Sequence, residues 1–293
     1  MNILYIAFGD DTVIHAQFSF SIYSFLNQHQ LVDTINIITD NEDYYNHLKP
    51  LVNIITITAA DLKEWKGKHN YLWRIKIKAI EKLALLYPNQ QIVYLDADTF
   101  LYNDLKPLKD NLNNGLAIMH EEEGYLSKKK TKTQRTMWQQ IKGKTFSGVT
   151  MKPTDKMWNA GVIAFPNTLD SNEIKLALSI CDEMCEVVPV KHFVEQYAFS
   201  ISLQKMYGLT DAKNCIAHYW GTKNTWNKVI SKFFLEAYFC RWDQQTIAEK
   251  INELDKTAIP IYEKIKNTGV RLKSLIDNFF PTKEITYLQK NKL

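Results

Sequence analysis

A chain of 293 residues can hold one large or two small domains around a substantial core. Its 45% hydrophobic and 23% charged residues are ordinary for a globular protein, and a net charge of +4 is too mild to point to nucleic acid. No stretch approaches the ~18 apolar residues of a spanning helix, and Asp10 and Asp11 cut the apolar start short of a signal sequence.

Cys181, Cys185, Cys215 and Cys240 show no disulfide spacing, so the expectation is a cytoplasmic protein. Cys181 and Cys185 lie four apart on an expected helix without a paired histidine and read as small core residues.

In chain order, Ile3 to Phe8 predicts a buried strand ending at Gly9-Asp10-Asp11-Thr12, and Ala16 to Leu26 a helix. Ile35 to Thr39 is a second strand ending at Asp40, and Asn53 to Thr58 a third. Tyr71 to Leu86 is a periodic helix with Leu72, Ile75, Ala79, Leu83 and Leu86 on its apolar face. Arg74 and Lys78 share another face, suited either to solvent or to phosphate and sugar oxygens.

The next stretch, Ile92-Val93-Tyr94-Leu95-Asp96-Ala97-Asp98, organises the chain. Four apolar residues predict a strand buried on both faces, running directly into two carboxylates. Residues i and i+2 of extended backbone point the same way, about 6.5 Å apart. Asp96 and Asp98 then converge, with small Ala97 facing away. Two buried like charges repel unless a cation separates them, and hard oxygen ligands suit Mg²⁺ or Mn²⁺. The alternative is a pair of turn residues ending a strand.

Further strands are expected over Gly115 to His120, Met157 to Phe165 and Cys215 to Tyr219, and helices over Glu173 to Val187 and Phe193 to Tyr207. Ser127 to Gly148, polar and Lys-rich, reads as a long loop, a lid over an anionic nucleotide or a surface segment. From Lys128 to Lys156 there are nine basic residues and one acid; from Lys264 to Leu293, seven and two. After Thr225 only helical periodicity remains, dividing the chain into an α/β unit over 1–225 and a helical C-terminal extension over 226–293. The tail from Lys264 fits an amphipathic helix on an anionic bilayer or one packed on its own domain.

Strands alternating with helices predict an α/β fold with a mostly parallel sheet. Asp10 and Asp11, Asp40, and Asp96 with Asp98 fall at carboxyl ends of expected strands, where such sheets bind ligands. Helix capping would also place Asp there.

Four separated pieces resemble nucleotide-sugar glycosyltransferases of the GT-A fold, particularly glycosyltransferase family 8 and its glycogenin-like relatives. They are Tyr94-Leu95-Asp96-Ala97-Asp98-Thr99, Trp158-Asn159-Ala160-Gly161-Val162, Glu195-Gln196 and His218-Tyr219-Trp220-Gly221. The family usually has Asp-Gln where this chain has Glu195-Gln196. Its lysine three residues after the glycine is Asn224 here, with Lys223 one position earlier.

The resemblance implies a Rossmann-like mixed sheet flanked by helices, and transfer of a hexose from a UDP-sugar to a glycan or lipid-linked acceptor with retention. It implies Asp96, Asp98 and His218 as ligands to Mn²⁺ or Mg²⁺. Asp10, Asp11 or Thr12 would hold the nucleoside, with Asp40 on the same edge. Asn159, Glu195 and Gln196 would line the donor sugar. Arg74, Lys78 or Lys223 would neutralise charge near it, and small Ala97, Gly161 and Gly221 would stand beside the donor.

The competing readings are a noncatalytic nucleotide-sugar binder of the same fold and a haloacid-dehalogenase-like phosphatase. The latter wants Thr or Val where this chain has Phe100.

Overall fold

The computed structural model describes residues 1–168 and 170–261, with Leu272, Ile276 and Phe279 beyond them. The expected tail helix therefore lies largely outside the described residues.

The first half runs β1 (Asn2–Ala7), α1 (Thr12–Phe25), β2 (Thr34–Thr39), β3 (Asn53–Thr56), α2 (Ala59–Trp65), α3 (Arg74–Leu86) and β4 (Ile92–Leu95). Next come β5 (Thr99–Leu101), α4 (Lys106–Asn113), β6 (Ala117–Tyr125), α5 (Lys132–Ile141), β7 (Thr145–Phe146), β8 (Val149–Thr150) and β9 (Lys156–Phe165). The described chain closes with α6 (Asn172–Val187), α7 (Val194–Met206), β10 (Leu209–Asp211), β11 (Ile216–His218), α8 (Lys223–Phe239) and α9 (Gln244–Glu253).

The central sheet has seven strands in the order β10-β6-β9-β4-β1-β2-β3. Its pairs are parallel except those made by β9, which runs against both β4 and β6. The sheet is covered on both faces. Along β1, Leu4 and Ile6 join one core cluster while Ile3, Tyr5 and Ala7 join the other, the period-2 alternation of a central strand. The first cluster takes in α3, α6 and α7; the second takes in α1, α8 and α9. α8 begins at Lys223, and its Trp226 and Phe233 rings pack on Phe100 and Phe20 at centroid distances of 4.8 and 6.0 Å.

The expected loop over 127–148 is instead a folded segment. Thr131 caps α5 by accepting the Gln134 N–H at 3.3 Å, and Met137, Trp138 and Ile141 are buried. β7 and β8 then form a hairpin through Ser147 (φ 45°) and Gly148 (φ 77°), both left-handed as a type I′ turn requires. Three apolar residues among lysines give too little periodicity to show a ten-residue helix. Strand β6 also runs to Tyr125, past the expected end at His120, because it follows β9 through two irregular steps.

Candidate functional site

The reversed direction of β9 builds the site. The beginning of an antiparallel strand lies beside the carboxyl ends of its parallel neighbours, so Asn159-Ala160-Gly161 sits next to the end of β4. The Asp96 N–H donates to the Gly161 carbonyl at 2.9 Å and extends that ladder. Ala97 and Asp98 do not continue as extended backbone. They form a turn, closed by Thr99 Oγ1 donating to the Asp96 carbonyl at 2.8 Å. The turn, not the strand alternation expected from i and i+2 spacing, brings the two carboxylates together.

β5 leaves that turn and pairs antiparallel with β11, matching Thr99 to His218. The Tyr219 N–H donates to the Asp98 carbonyl at 3.0 Å, so the far-downstream imidazole is tied to the second aspartate through main chain. One ligand atom from each of Asp96, Asp98 and His218 lies within 4.8 Å of the others. Asp98 and His218 are buried, and Asp96 is partly open.

The hydrogen bonds fix the imidazole's proton. The Gly161 N–H can only donate, so the Asn159 atom it meets at 2.9 Å is the amide oxygen. The same oxygen stands 2.9 Å from His218 Nδ1, which must carry the hydrogen. His218 Nε2, the other ring nitrogen, faces Asp98 Oδ1 at 3.4 Å. Gly161 is needed here: a Cβ on it would stand 2.3 Å from two ring atoms of His218. His120 packs edge-on against that ring at 5.1 Å and donates from Nε2 to the Ile216 carbonyl at 3.2 Å. Burial pushes its pKa down to about 3, with His218 adding to the effect, so it is a neutral support.

Lys223 Nζ is 2.8 Å from Asp98 Oδ2 on the opposite side from His218. Burial would raise the Asp98 pKa, but His218 and Lys223 outweigh it and hold the carboxyl well below its ordinary range.

The cation behind Asp96 is Lys76, which the sequence reading passed over. Its Nζ lies 3.1 Å from Asp96 Oδ1, 3.1 Å from the Ala160 carbonyl and 3.3 Å from Glu195 Oε1. Burial would lower its pKa, but Asp96 and Glu195 overcome that and raise it. Burial lifts Glu195 to about 7, opposed by Lys76 and assisted by Asp96. Tyr94 donates its hydroxyl to Asp96 Oδ1 at 2.8 Å, and the Tyr71 hydroxyl accepts the Glu195 N–H at 3.2 Å. Beside Glu195, Gln196 has its buried Nε2 without a hydrogen-bond partner.

Other residues singled out from sequence are engaged elsewhere. Arg74 pairs with Asp182 at 2.7 and 3.0 Å and donates to the Trp65 carbonyl at 2.9 Å. Lys78 pairs with Glu81. Asp40 accepts the Gly9 N–H on both oxygens, at 3.1 and 3.2 Å, and so shapes the loop after β1. Asp11 caps α1 by accepting the Val13 N–H at 2.9 Å. Asp10 is exposed on the same loop, Thr12 is exposed as the first residue of α1, and Gly221 lies in the turn between β11 and α8. His15, not anticipated, stacks on Tyr44 at 3.7 Å and bonds the Gly9 carbonyl at 2.9 Å, holding that loop from below.

A mixed sheet of this order, with an aspartate pair and a distant histidine meeting at its carboxyl edge, defines a glycosyltransferase of the GT-A class. The chain belongs to glycosyl transferase family 8, whose family model matches residues 13–177. That membership sets aside the phosphatase reading.

Among solved structures, the chain is similar to galactosyltransferase LgtC in complex with donor and acceptor sugar analogues. The two are 13% identical, covering 89% of this chain and 98% of that one, with a TM-score of 0.52. It is also similar to the apo form of mouse xyloside xylosyltransferase 1, at 13% identity, 72% and 85% coverage and a TM-score of 0.45. The first likeness shows the fold. A search of curated proteins gave no match.

Proposed function

We propose that the chain moves a hexose from a nucleotide-diphosphate sugar, a UDP-sugar, to a glycan or lipid-linked acceptor with retention, using Mn²⁺ or Mg²⁺. The observation that carries this reading is the convergence of Asp96, Asp98 and His218 within 4.8 Å, with His218 Nδ1 engaged by Asn159 and Nε2 turned to Asp98. Two carboxylates and one imidazole nitrogen fit a divalent cation, and the nitrogen ligand suits Mn²⁺ better than Mg²⁺. Bound there, the ion would act as a Lewis acid on the donor diphosphate as the anomeric C–O bond breaks.

The chain's own groups do the rest. Lys223, on the open side of Asp98, is placed to meet phosphate charge. Lys76, held by Asp96 and Glu195, takes the part expected of Arg74 or Lys78 and keeps the sugar-side carboxylates neutralised. The unpartnered Nε2 of Gln196 supplies a donor for a sugar hydroxyl. Gln196 offers only an amide oxygen toward the anomeric carbon, a poor nucleophile. That favours front-face transfer over a covalent glycosyl intermediate. Asp10 and Asp11 on the loop after β1, and Thr12 opening α1, are the groups expected to meet the nucleoside.

The reading includes a cytoplasmic location and peripheral contact between the basic tail and an anionic membrane. Among the described residues, no helix is long and apolar enough to cross one.

The test is incubation with a panel of UDP-sugars, with Mn²⁺ and with EDTA. Metal-dependent UDP release and a retained anomer by NMR are expected. A noncatalytic binder would instead be stabilised thermally by UDP without releasing any from the sugars.

A further inference from the structure

We propose that the outer face of α8 is a membrane-docking surface that seats the enzyme on an anionic lipid bilayer. The inference rests on the membrane contact already proposed for the tail, adds to it a separate surface, and uses no residue of the metal cluster.

The inner stripe of α8, Trp226, Ile230, Phe233 and Ala237, is buried against the α1 side of the core. Two residues further round, the same i, i+4, i+7, i+11 spacing repeats in Lys228, Lys232, Leu235 and Phe239, all exposed. A helix packed on its domain needs one apolar stripe, and the polar half of this one turns apolar over its last turn. Leu235, Tyr238 and Phe239 are 57, 76 and 72% exposed. Tyr238 and Phe239 stand edge to face at 5.6 Å, forming a single aromatic patch.

Two features choose a bilayer over a protein partner. The three side chains offer only about 400 Å², at ~150–250 Å² per aromatic, roughly half of the ~800 Å² that each side of a stable dimer buries. The patch is also bordered by cations: Lys228 and Lys232 on its own stripe and exposed Arg241 just past the helix, against exposed Glu236 and Asp243, the latter engaged in capping α9. Lysines behind an aromatic tip are the arrangement of a helix lying in the headgroup region, ammonium groups on lipid phosphates and rings at the acyl boundary. A groove of about 330 Å³ along the same helix, lined in part by Tyr44, Phe234, Tyr238 and Trp242, gives an acyl chain room beside the patch.

The test is co-sedimentation of the full chain with phosphatidylcholine vesicles, with and without phosphatidylglycerol. Wild type is expected to bind the anionic vesicles and to release at high salt. Leu235→Ser/Phe239→Ser is expected to lower partitioning about tenfold or more. Lys228→Glu/Lys232→Glu, which touches no apolar packing, is expected to weaken the preference for phosphatidylglycerol several-fold, the basic tail keeping the remainder. Both variants should keep the wild-type circular dichroism spectrum and UDP release from a soluble donor, so failure here is distinct from failure of the transfer reading. Unchanged vesicle binding by both variants, or no binding by wild type, overturns the proposal. A solution dimer that Leu235→Ser/Phe239→Ser splits also overturns it and gives the patch to a second copy of the chain.

Discussion

Asn159 Oδ1 accepts at once from the Gly161 N–H and from His218 Nδ1, each at 2.9 Å, so Asn159 engages one imidazole nitrogen and leaves the other turned to Asp98. Asn159→Leu removes that acceptor and frees the tautomer. Outer partners of metal ligands typically contribute 10–100-fold in affinity. Titration of the variant with Mn²⁺ should show a rise in Kd of about that size, with the circular dichroism spectrum unchanged.

Gly161→Ala should be worse for the metal than for the fold. The new methyl would stand 2.3 Å from the His218 ring, which must move away from Asp98. Strain of ~1–3 kcal/mol is the usual result of such overpacking. A modest fall in Tm together with loss of Mn²⁺ binding is the expected pair of results.

Lys76→Met leaves Asp96 and buried Glu195 facing each other without their cation. Removing one member of a buried ionic group typically costs about 3–5 kcal/mol. Urea unfolding should show a loss of that order, and Lys76→Met/Glu195→Gln should recover part of it.

Glu195 also predicts a pH dependence. Its folded pKa, near 7, is above the ordinary carboxylate value, because burial disfavours the charge. The folded state therefore holds this proton more tightly than the unfolded chain. The stability it contributes is full below the unfolded pKa and is lost as pH rises toward 7. Asp98 has the opposite sign: its depressed pKa gives stability that disappears as pH falls below the ordinary carboxylate range. In EDTA, the stability of Glu195→Gln relative to wild type should rise between about pH 5 and 7; the depressed His120 pKa adds the opposite slope to both proteins alike, so the difference between the two curves is what reads Glu195.

Much of the site could be read from sequence because its residues sit at the ends of buried apolar runs. Asp96, Asp98, Asn159, Gly161 and His218 each end or begin such a run, and the fold carries them to one edge. Lys76 was not legible in the same way. In Arg74-Ile75-Lys76-Ile77-Lys78, cations alternate with isoleucines, and periodicity alone favours the pair four apart. The signal that marks it is its alignment with Ile80 and Leu83, which puts a charge in an apolar stripe. The carboxylates of Asp11 and Asp40 show the converse. Placed at strand ends, they bond backbone N–H groups nearby, which sequence position cannot separate from nucleoside binding.

The convergence of two aspartates and one histidine on a divalent cation is tested most directly by titrating Mn²⁺ into the chain in the presence of UDP. The comparison is between wild type, Asp98→Asn and His218→Ala. Wild type should bind one ion and release UDP from its donor in proportion to occupancy. Each variant should lose both, by about a hundredfold or more, while keeping its fold. An Asp98→Asn protein that bound Mn²⁺ and turned over at the wild-type rate would contradict the account.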